Sequence, residues 1–168
     1  MNTRWKPSAT VAAVIARQVA GVTEFLLVEE HTPEGLRLNN PAGHLDPGES
    51  PVEACAREAL EETAFHFRPT ALVGVYLSRF QRQLADGRDD ITYLRFAFCG
   101  ELGDSVAGQA LDEGIVRTLW LSADAIRACP ERHRSPLLIK CMDDYLAGAR
   151  HPLSVITTDA SVYGQGPT

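Results

Sequence analysis

The sequence predicts a single α/β (α+β) domain, and three observations carry that expectation. Composition is globular: 168 residues, 45% hydrophobic and 23% charged, where disorder would show fewer apolar and more like-charged residues. Short apolar runs rich in β-branched and aromatic residues are interleaved with segments of helical periodicity, the mark of strands and helices sharing one core. No repeat, low-complexity tract or interdomain linker interrupts the chain. One layered arrangement spanning residues 1–168, with its core at about 8–158, is the economical answer. A chain of this size buries roughly 70% of its unfolded surface, enough for a core without staples.

The elements follow in order. Thr10 to Ala16 (TVAAVIA) reads as a buried strand and Glu24 to Glu30 (EFLLVEE) as a second, joined through a hairpin turn at Ala20-Gly21. Residues 31–49 hold four prolines and glycines by residue 43 and two more at Pro47-Gly48. That density of breakers marks a long structured loop, and such loops in small domains are usually functional. A helix begins after Ser50, with Pro51 at its first position and Glu53 completing a capping box, and runs to Thr63 or Ala64. Its apolar positions are Val52, Ala56, Ala59, Leu60 and Thr63. Strands are expected at Ala71 to Leu77, Thr92 to Cys99 and Ile115 to Leu121, with a polar loop over 81–90 turning at Asp86-Gly87. Ser122 caps a short helix from Ala123 to Cys129, and Ser135-Pro136 opens another from Leu137 to about Ala147. Residues 152–158 add a last strand or cover the core, and the last ten residues read as frayed.

Charge and cysteine usage bound partners and compartment. Sixteen basic residues against 22 acidic ones give −6, which argues against a nucleic-acid-backbone binder. Cys55, Cys99, Cys129 and Cys141 are widely spaced with no CxxC pair, as expected of reduced, buried thiols rather than a zinc site or disulfide framework. The N-terminal apolar run is too short for a membrane span and lacks a signal-type cleavage site. A cytoplasmic protein without a membrane partner is expected.

Chemistry concentrates in Gly43 to Phe67 (GHLDPGESPVEACAREALEETAFHF). With about 100° per residue on a helix, Glu58 and Glu62 lie roughly 40° apart, Glu61 flanks them, and Arg57 and Glu61 are i, i+4 partners. Three carboxylates on one side of a helix repel unless something neutralises them. Two readings are open: a solvated acidic face, or a site for a hard cation such as Mg²⁺, which takes carboxylate oxygens, water and substrate phosphate.

The wider spacing separates them. Gly43, five residues, Glu49, seven residues, then Arg57-Glu58-Ala59-Leu60-Glu61-Glu62-Thr63-Ala64-Phe65 resembles the Nudix box, with six of its seven fixed positions matched. The exception is Ala64, where the family has a glycine that ends the helix in a left-handed conformation. Asn40-Pro41-Ala42-Gly43-His44-Leu45, Leu94-Arg95-Phe96, Arg134-Ser135-Pro136-Leu137 and His151-Pro152-Leu153 extend the similarity to the NudJ-type phosphatases of this family, over roughly residues 10–156. The resemblance implies an α/β/α sandwich with a mixed β-sheet and a loop–helix–loop catalytic box.

It also implies roles. Glu58 and Glu62 would be metal ligands, Glu61 a third ligand or the base that activates water, and the Gly43 carbonyl part of the same shell, with Mg²⁺ (or Mn²⁺) as the cofactor. Arg57 would orient Glu49 or Glu61. A further carboxylate is expected from a downstream loop, Glu113 ahead of Asp112. Arg95 would meet a phosphate or form an edge-strand salt bridge, His44 would reach a phosphate, and Arg37, Tyr76 and Arg79 would line the leaving-group pocket. The implied activity is hydrolysis of a small phosphoanhydride, a nucleoside di- or triphosphate or a thiamine-related pyrophosphate, by a monomer or homodimer. ADP-ribose or dinucleotide polyphosphate hydrolysis, and a non-catalytic nucleotide-binding module, are the alternatives.

Overall fold

The computed structural model describes residues 4–84 and 87–164. Strand β1 (Ser8–Val14) leads directly into β2 (Ala16–Val19), which turns through Ala20-Gly21 into β3 (Val22–Thr32). Both turn residues have positive φ, 48° and 81°, the pairing that matches the twist of a two-residue hairpin. Strands β4 (Gly35–Asn39) and β5 (Ala42–His44) precede helix α1 (Pro51–Thr63). The long strands β6 (Phe65–Leu84) and β7 (Gly87–Ser105) follow, then β8 (Ile115–Ser122), α2 (Ala123–Arg127) and α3 (Leu137–Leu146).

The strands form two four-stranded sheets. One has the order β5-β1-β7-β6, mixed because β1 and β7 run parallel; in the other, β3 is flanked by β2, β4 and β8. The expected strand over 10–16 is thus two strands, one in each sheet, and Ile15 is where the chain crosses between them. Alternation along the strands sorts the core into two layers. Val11, Ala13, Ile15, Leu26 and Phe98 pack against Ala54, Cys55 and Ala59 of α1. Ala12, Val14, Phe25, Leu27 and Ala97 pack with Ile126 of α2 and Leu138, Cys141 and Met142 of α3. Helices therefore cover both faces, as expected of an α/β/α arrangement. Each fully buried Phe, Leu or Ile here adds about 1.5–3 kcal/mol of transfer free energy.

Several expected boundaries move. Residues 31–49 carry β4 and β5 as well as turns, because their backbone groups find partners in β3 and β1. Residues 81–84 and 87–90 are not loop: they extend the β6–β7 ribbon, with Arg79–Asp90 and Arg82–Asp89 as cross-strand ion pairs. Asp86 of the expected turn lies outside the described residues. The two later helices end earlier, at Arg127 and Leu146. Residues 152–158 form a 3₁₀ turn at Leu153–Val155 rather than a strand, and Leu153 and Ile156 cap the α1 side of the core. Of the last ten residues, 159–164 are ordered by an Asp159-capped turn, and the Tyr163 hydroxyl donates to Glu53 at 2.8 Å. Residues 165–168 lie outside the description. Cys55, Cys99 and Cys141 are buried and Cys129 half-buried, all as free thiols. Among the described residues no helix is long and apolar enough to cross a membrane.

Helix α1 stops at Ala64, which adopts the left-handed conformation (φ 61°) while its N–H donates to Leu60. A Cβ there costs about 1 kcal/mol relative to glycine. Ala64→Gly should therefore raise Tm by roughly 2–4 °C in a thermal melt; an unchanged or lower Tm would show that the left-handed exit is not strained.

Candidate active site

The acidic end of α1 is built from its N-terminus. The Ser50 hydroxyl accepts from the Glu53 N–H while Glu53 accepts from the Ser50 N–H, so the capping box is complete. This fixes where Glu49 stands, one residue ahead of the cap. Arg57 then meets it with both edges of its fork: Nε donates to Glu49 Oε2 at 2.9 Å and Nη2 to Oε1 at 2.7 Å. The same guanidinium donates from Nη1 to Glu58 (2.8 Å) and Glu61 (2.9 Å), and from Nη2 to the His44 carbonyl (3.0 Å). Its hydrogen bonds hold the Glu49 carboxyl below the usual range, and those to Glu49 chiefly hold the guanidinium above its own.

The buried stripe of α1 includes two of the acids. Glu58 and Glu62 are buried beside Ala54, Cys55, Ala59 and Thr63, whereas Ala56 and Leu60 are only half-buried. The apolar face thus lies one position away from the one expected, because the carboxylates turn inward toward β5. Glu62 Oε2 accepts the Ala42 N–H at 2.8 Å. Burial pushes its carboxyl up to about 8, and Glu58, Glu30 and Asp112 add to the shift. Glu58 is raised as well, by burial first, against the pull of Arg57. Its carboxylate fills the space over Gly43: a Cβ there would sit 2.1 Å from Glu58 Oε1. Glycine at this position is a steric requirement.

A third acid comes from the segment after β7. Val106 N–H donates to the Ala64 carbonyl (2.8 Å) and Asp112 N–H to the Glu61 carbonyl (3.0 Å), so this segment wraps the helix exit. Carboxylate oxygens of Glu58, Glu61 and Asp112 consequently lie within 4.8 Å of one another. An all-oxygen set of this kind suits a hard divalent cation. The downstream acid brought to the cluster is Asp112; Glu113, the one preferred from sequence, is exposed and outside it.

Beside the cluster opens a cleft of about 400 Å³ that Ala42, Gly43 and His44 border. Arg95 and Arg79 line it; Arg37 and Tyr76 do not. Arg37 donates to the carbonyl of its neighbour Leu36. The Tyr76 hydroxyl donates to Asp144 of α3 at 2.9 Å, a packing role. Arg79 is paired with Asp90 through two hydrogen bonds of 2.7 and 2.6 Å. Arg95 lies on β7 between β1 and β6, 9% exposed, which excludes the edge-strand salt bridge. Sequence reasoning did not single out Thr10, Glu30, Asn39, Tyr93 or Ser135 as cleft residues; they converge from five separate segments and no local spacing marks them. Trp120 packs at the α1 side of the core under Arg17, 4.0 Å from the ring centre, while Trp5 is 68% exposed.

Known proteins share the sequence pattern and the fold of this chain. The family model described as NUDIX domain matches residues 6–139. The phosphatase NudJ of Escherichia coli (strain K12) is 36% identical over 152 residues, covering 90% of this chain and 92% of the relative. The solved structure of a NUDIX hydrolase from Nitrosomonas europaea superposes with a TM-score of 0.79 at 46% identity, over 92% of this chain and 98% of that one. A MutT protein from Methanosarcina mazei Go1 shares the fold at TM-score 0.61 and 24% identity.

The position of Glu62 has a stability consequence. Its folded pKa lies above the unfolded 4.5, so the folded state binds the extra proton, and stability present below about pH 4.5 is lost as pH rises toward 8. In chelator-treated protein, Glu62→Gln should raise Tm at pH 8, with roughly 2–4 °C for each kcal/mol recovered. The gain should shrink toward zero near pH 4.5. A variant less stable than wild type at pH 8 would contradict the burial cost assigned to this carboxylate.

Proposed function

This chain belongs to the NUDIX domain family and hydrolyses phosphoanhydride bonds, and we propose that it does so with Mg²⁺ or Mn²⁺ on nucleoside di- or triphosphates or thiamine-related pyrophosphates, as a cytoplasmic monomer or homodimer. The observation that supports the cation requirement is the convergence of Glu58, Glu61 and Asp112 oxygens within 4.8 Å of one another beside the cleft. Without a cation, so dense a carboxylate cluster would repel a polyphosphate. The choice of leaving group draws on similarity to the E. coli phosphatase NudJ.

In this reading Glu58, Glu61 and Asp112 hold the cation, which offsets phosphate charge and lowers the pKa of bound water. Arg57 does not touch substrate: it is a positioning residue that fixes the rotamers of Glu49, Glu58 and Glu61. Glu62, expected as a ligand from the family resemblance, lies outside that oxygen cluster and is the neighbouring carboxylate that takes the proton of the attacking water. Its hydrogen bond from Ala42 fixes it against β5 while it does so.

Product formation with and without Mg²⁺ tests this directly, read as inorganic phosphate from nucleotides and thiamine pyrophosphate and as released mononucleotide from ADP-ribose and dinucleotide polyphosphates. Turnover should depend on the metal and be highest with the nucleotide or thiamine substrates; nucleotide binding with no product under Mg²⁺ or Mn²⁺ would sink the enzymatic reading. Glu58→Gln and Asp112→Asn should each lower kcat/KM at least about 100-fold, since even partners of metal ligands are worth about 10–100-fold. Glu113→Gln should stay within about threefold of wild type, following the small effects of exposed substitutions.

A further inference from the structure

The cleft contains polar side chains that the carboxylate cluster does not use. Arg95, Asn39 and Thr10 are 9%, 8% and 6% exposed and all face the cleft. Arg95 Nε and Nη1, Asn39 Oδ1, Thr10 Oγ1 and Glu30 Oε1 have no hydrogen-bond partner, although the Arg95 side chain also meets Cys141 of α3 and the Glu30 carboxylate meets the Asn39 side chain. Arg134 Nε stays 3.8 Å from Glu30 Oε1, close enough for an ion pair and too far for a hydrogen bond. Leaving a buried donor or acceptor unmatched is costly, and more so for a charged group. So many orphans in one cleft mark a place that a ligand completes.

Placement follows from the sheets. Asn39 pairs with Val28 and Glu30 with Arg37 across β3 and β4, so Glu30 and Asn39 are diagonal neighbours on one face. Arg95 pairs with Thr10 across β7 and β1. One wall of the cleft thus offers two acceptors, Glu30 Oε1 and Asn39 Oδ1, and the other offers guanidinium donors. A phosphate would satisfy Arg95 but leave both acceptors empty and place an anion beside Glu30. A cation would satisfy Glu30 and Asn39 but meet Arg95. A neutral group with an acceptor next to an N–H₂ meets Arg95 and both acceptors at once, since an amine has two hydrogens for the two acceptors.

We propose that Arg95, Glu30 and Asn39 are specificity-determining residues that read the amine-bearing edge of the substrate's heterocycle: Arg95 donates to a ring acceptor, and Glu30 and Asn39 accept from the adjacent exocyclic amine. This rests on the hydrolase reading above for the substrate's other end, since Ala42, Gly43 and His44 connect this cleft to the carboxylates. Rings with an amine beside a ring nitrogen, such as cytosine or the aminopyrimidine of thiamine, fit. Their oxo counterparts place a carbonyl against Glu30 and Asn39 and leave both acceptors without hydrogens.

Matched substrate pairs test it: cytidine against uridine diphosphate, and thiamine pyrophosphate against its 4-oxo analogue. Wild type should favour the amine member of each pair by at least about tenfold in kcat/KM, as sites built to accept a substrate N–H do. Glu30→Gln places an amide donor where the carboxylate stood, so the cytidine/uridine ratio should fall severalfold or invert, with the uridine substrate retained better than the cytidine one. The ratio is internal to each variant, so a partly unfolded preparation leaves it unaffected. Equal handling of both pairs by wild type, or an equal loss on both members in Glu30→Gln, would overturn the assignment while leaving metal-dependent hydrolysis intact. If no substrate is turned over, the hydrolase reading fails instead, and calorimetric binding of cytidine and uridine diphosphates decides the edge-reading on its own.

Discussion

The Arg57 guanidinium is the interaction on which the acidic end of the molecule depends. Glu49, Glu58 and Glu61 crowd one helix and the residue before its cap, and their mutual repulsion would splay them in the absence of a cation. Arginine's planar fork offers five donors in fixed directions, so one residue can bridge all three and still reach the His44 carbonyl. A lysine ammonium, a point charge, could not span both edges of Glu49 and two further carboxylates. The bond to His44 ties β5 to the helix and thereby brings Gly43 under Glu58, where a Cβ has no room. Arg57 registers loop, strand and helix together with Glu62, whose carboxylate accepts the Ala42 N–H.

The rest of the fold explains why that register is stable. Strand β5 pairs with β1, and β1 with β7, so the edge that carries Gly43 is anchored to the centre of the mixed sheet. Period-two alternation in β1 sends Val11 and Ala13 to α1 and Ala12 and Val14 to α2 and α3. The helix bearing the acids and the layer backing the cleft are thus fastened to opposite faces of the same strand. Ala42–His44 lie where the two meet, bordering the cleft on one side and touching Glu58 and Glu62 on the other.

What could be read from the sequence was what local spacing dictates. The Ser50–Glu53 capping box, the helix after it and the contact of Arg57 with Glu49 and Glu61 depend on residues within about two turns, and so did the hairpin at Ala20-Gly21. Sites assembled from distant segments were harder. The choice between Asp112 and Glu113 is made by two backbone hydrogen bonds, Val106 to Ala64 and Asp112 to Glu61, which no periodicity announces. The 81–90 stretch looked like a loop because its residues are polar; cross-strand Arg–Asp pairs make that polarity compatible with an exposed ribbon. Tyr76 and Arg95 sit opposite each other on paired strands and both meet Cys141 of α3, yet only Arg95 also lines the cleft, a distinction fixed by packing alone.

Charge bookkeeping around the cleft links the site to the overall acidity. Of the arginines that line it, Arg79 is bound to Asp90, Arg82 to Asp89, and Arg134 lies near Glu30 and Glu34. Arg57, next to it, is shared among its own carboxylates. Arg95 is the cleft cation that forms no ion pair among the described residues, and it is walled in beside Glu30 and Asn39 rather than presented at the mouth. A polyanion approaching this −6 chain therefore finds little spare positive charge on the protein. Its charge has to be met by a cation carried with it or held by the carboxylates, so the same acidity that excludes a bare phosphate selects the cation-bound form.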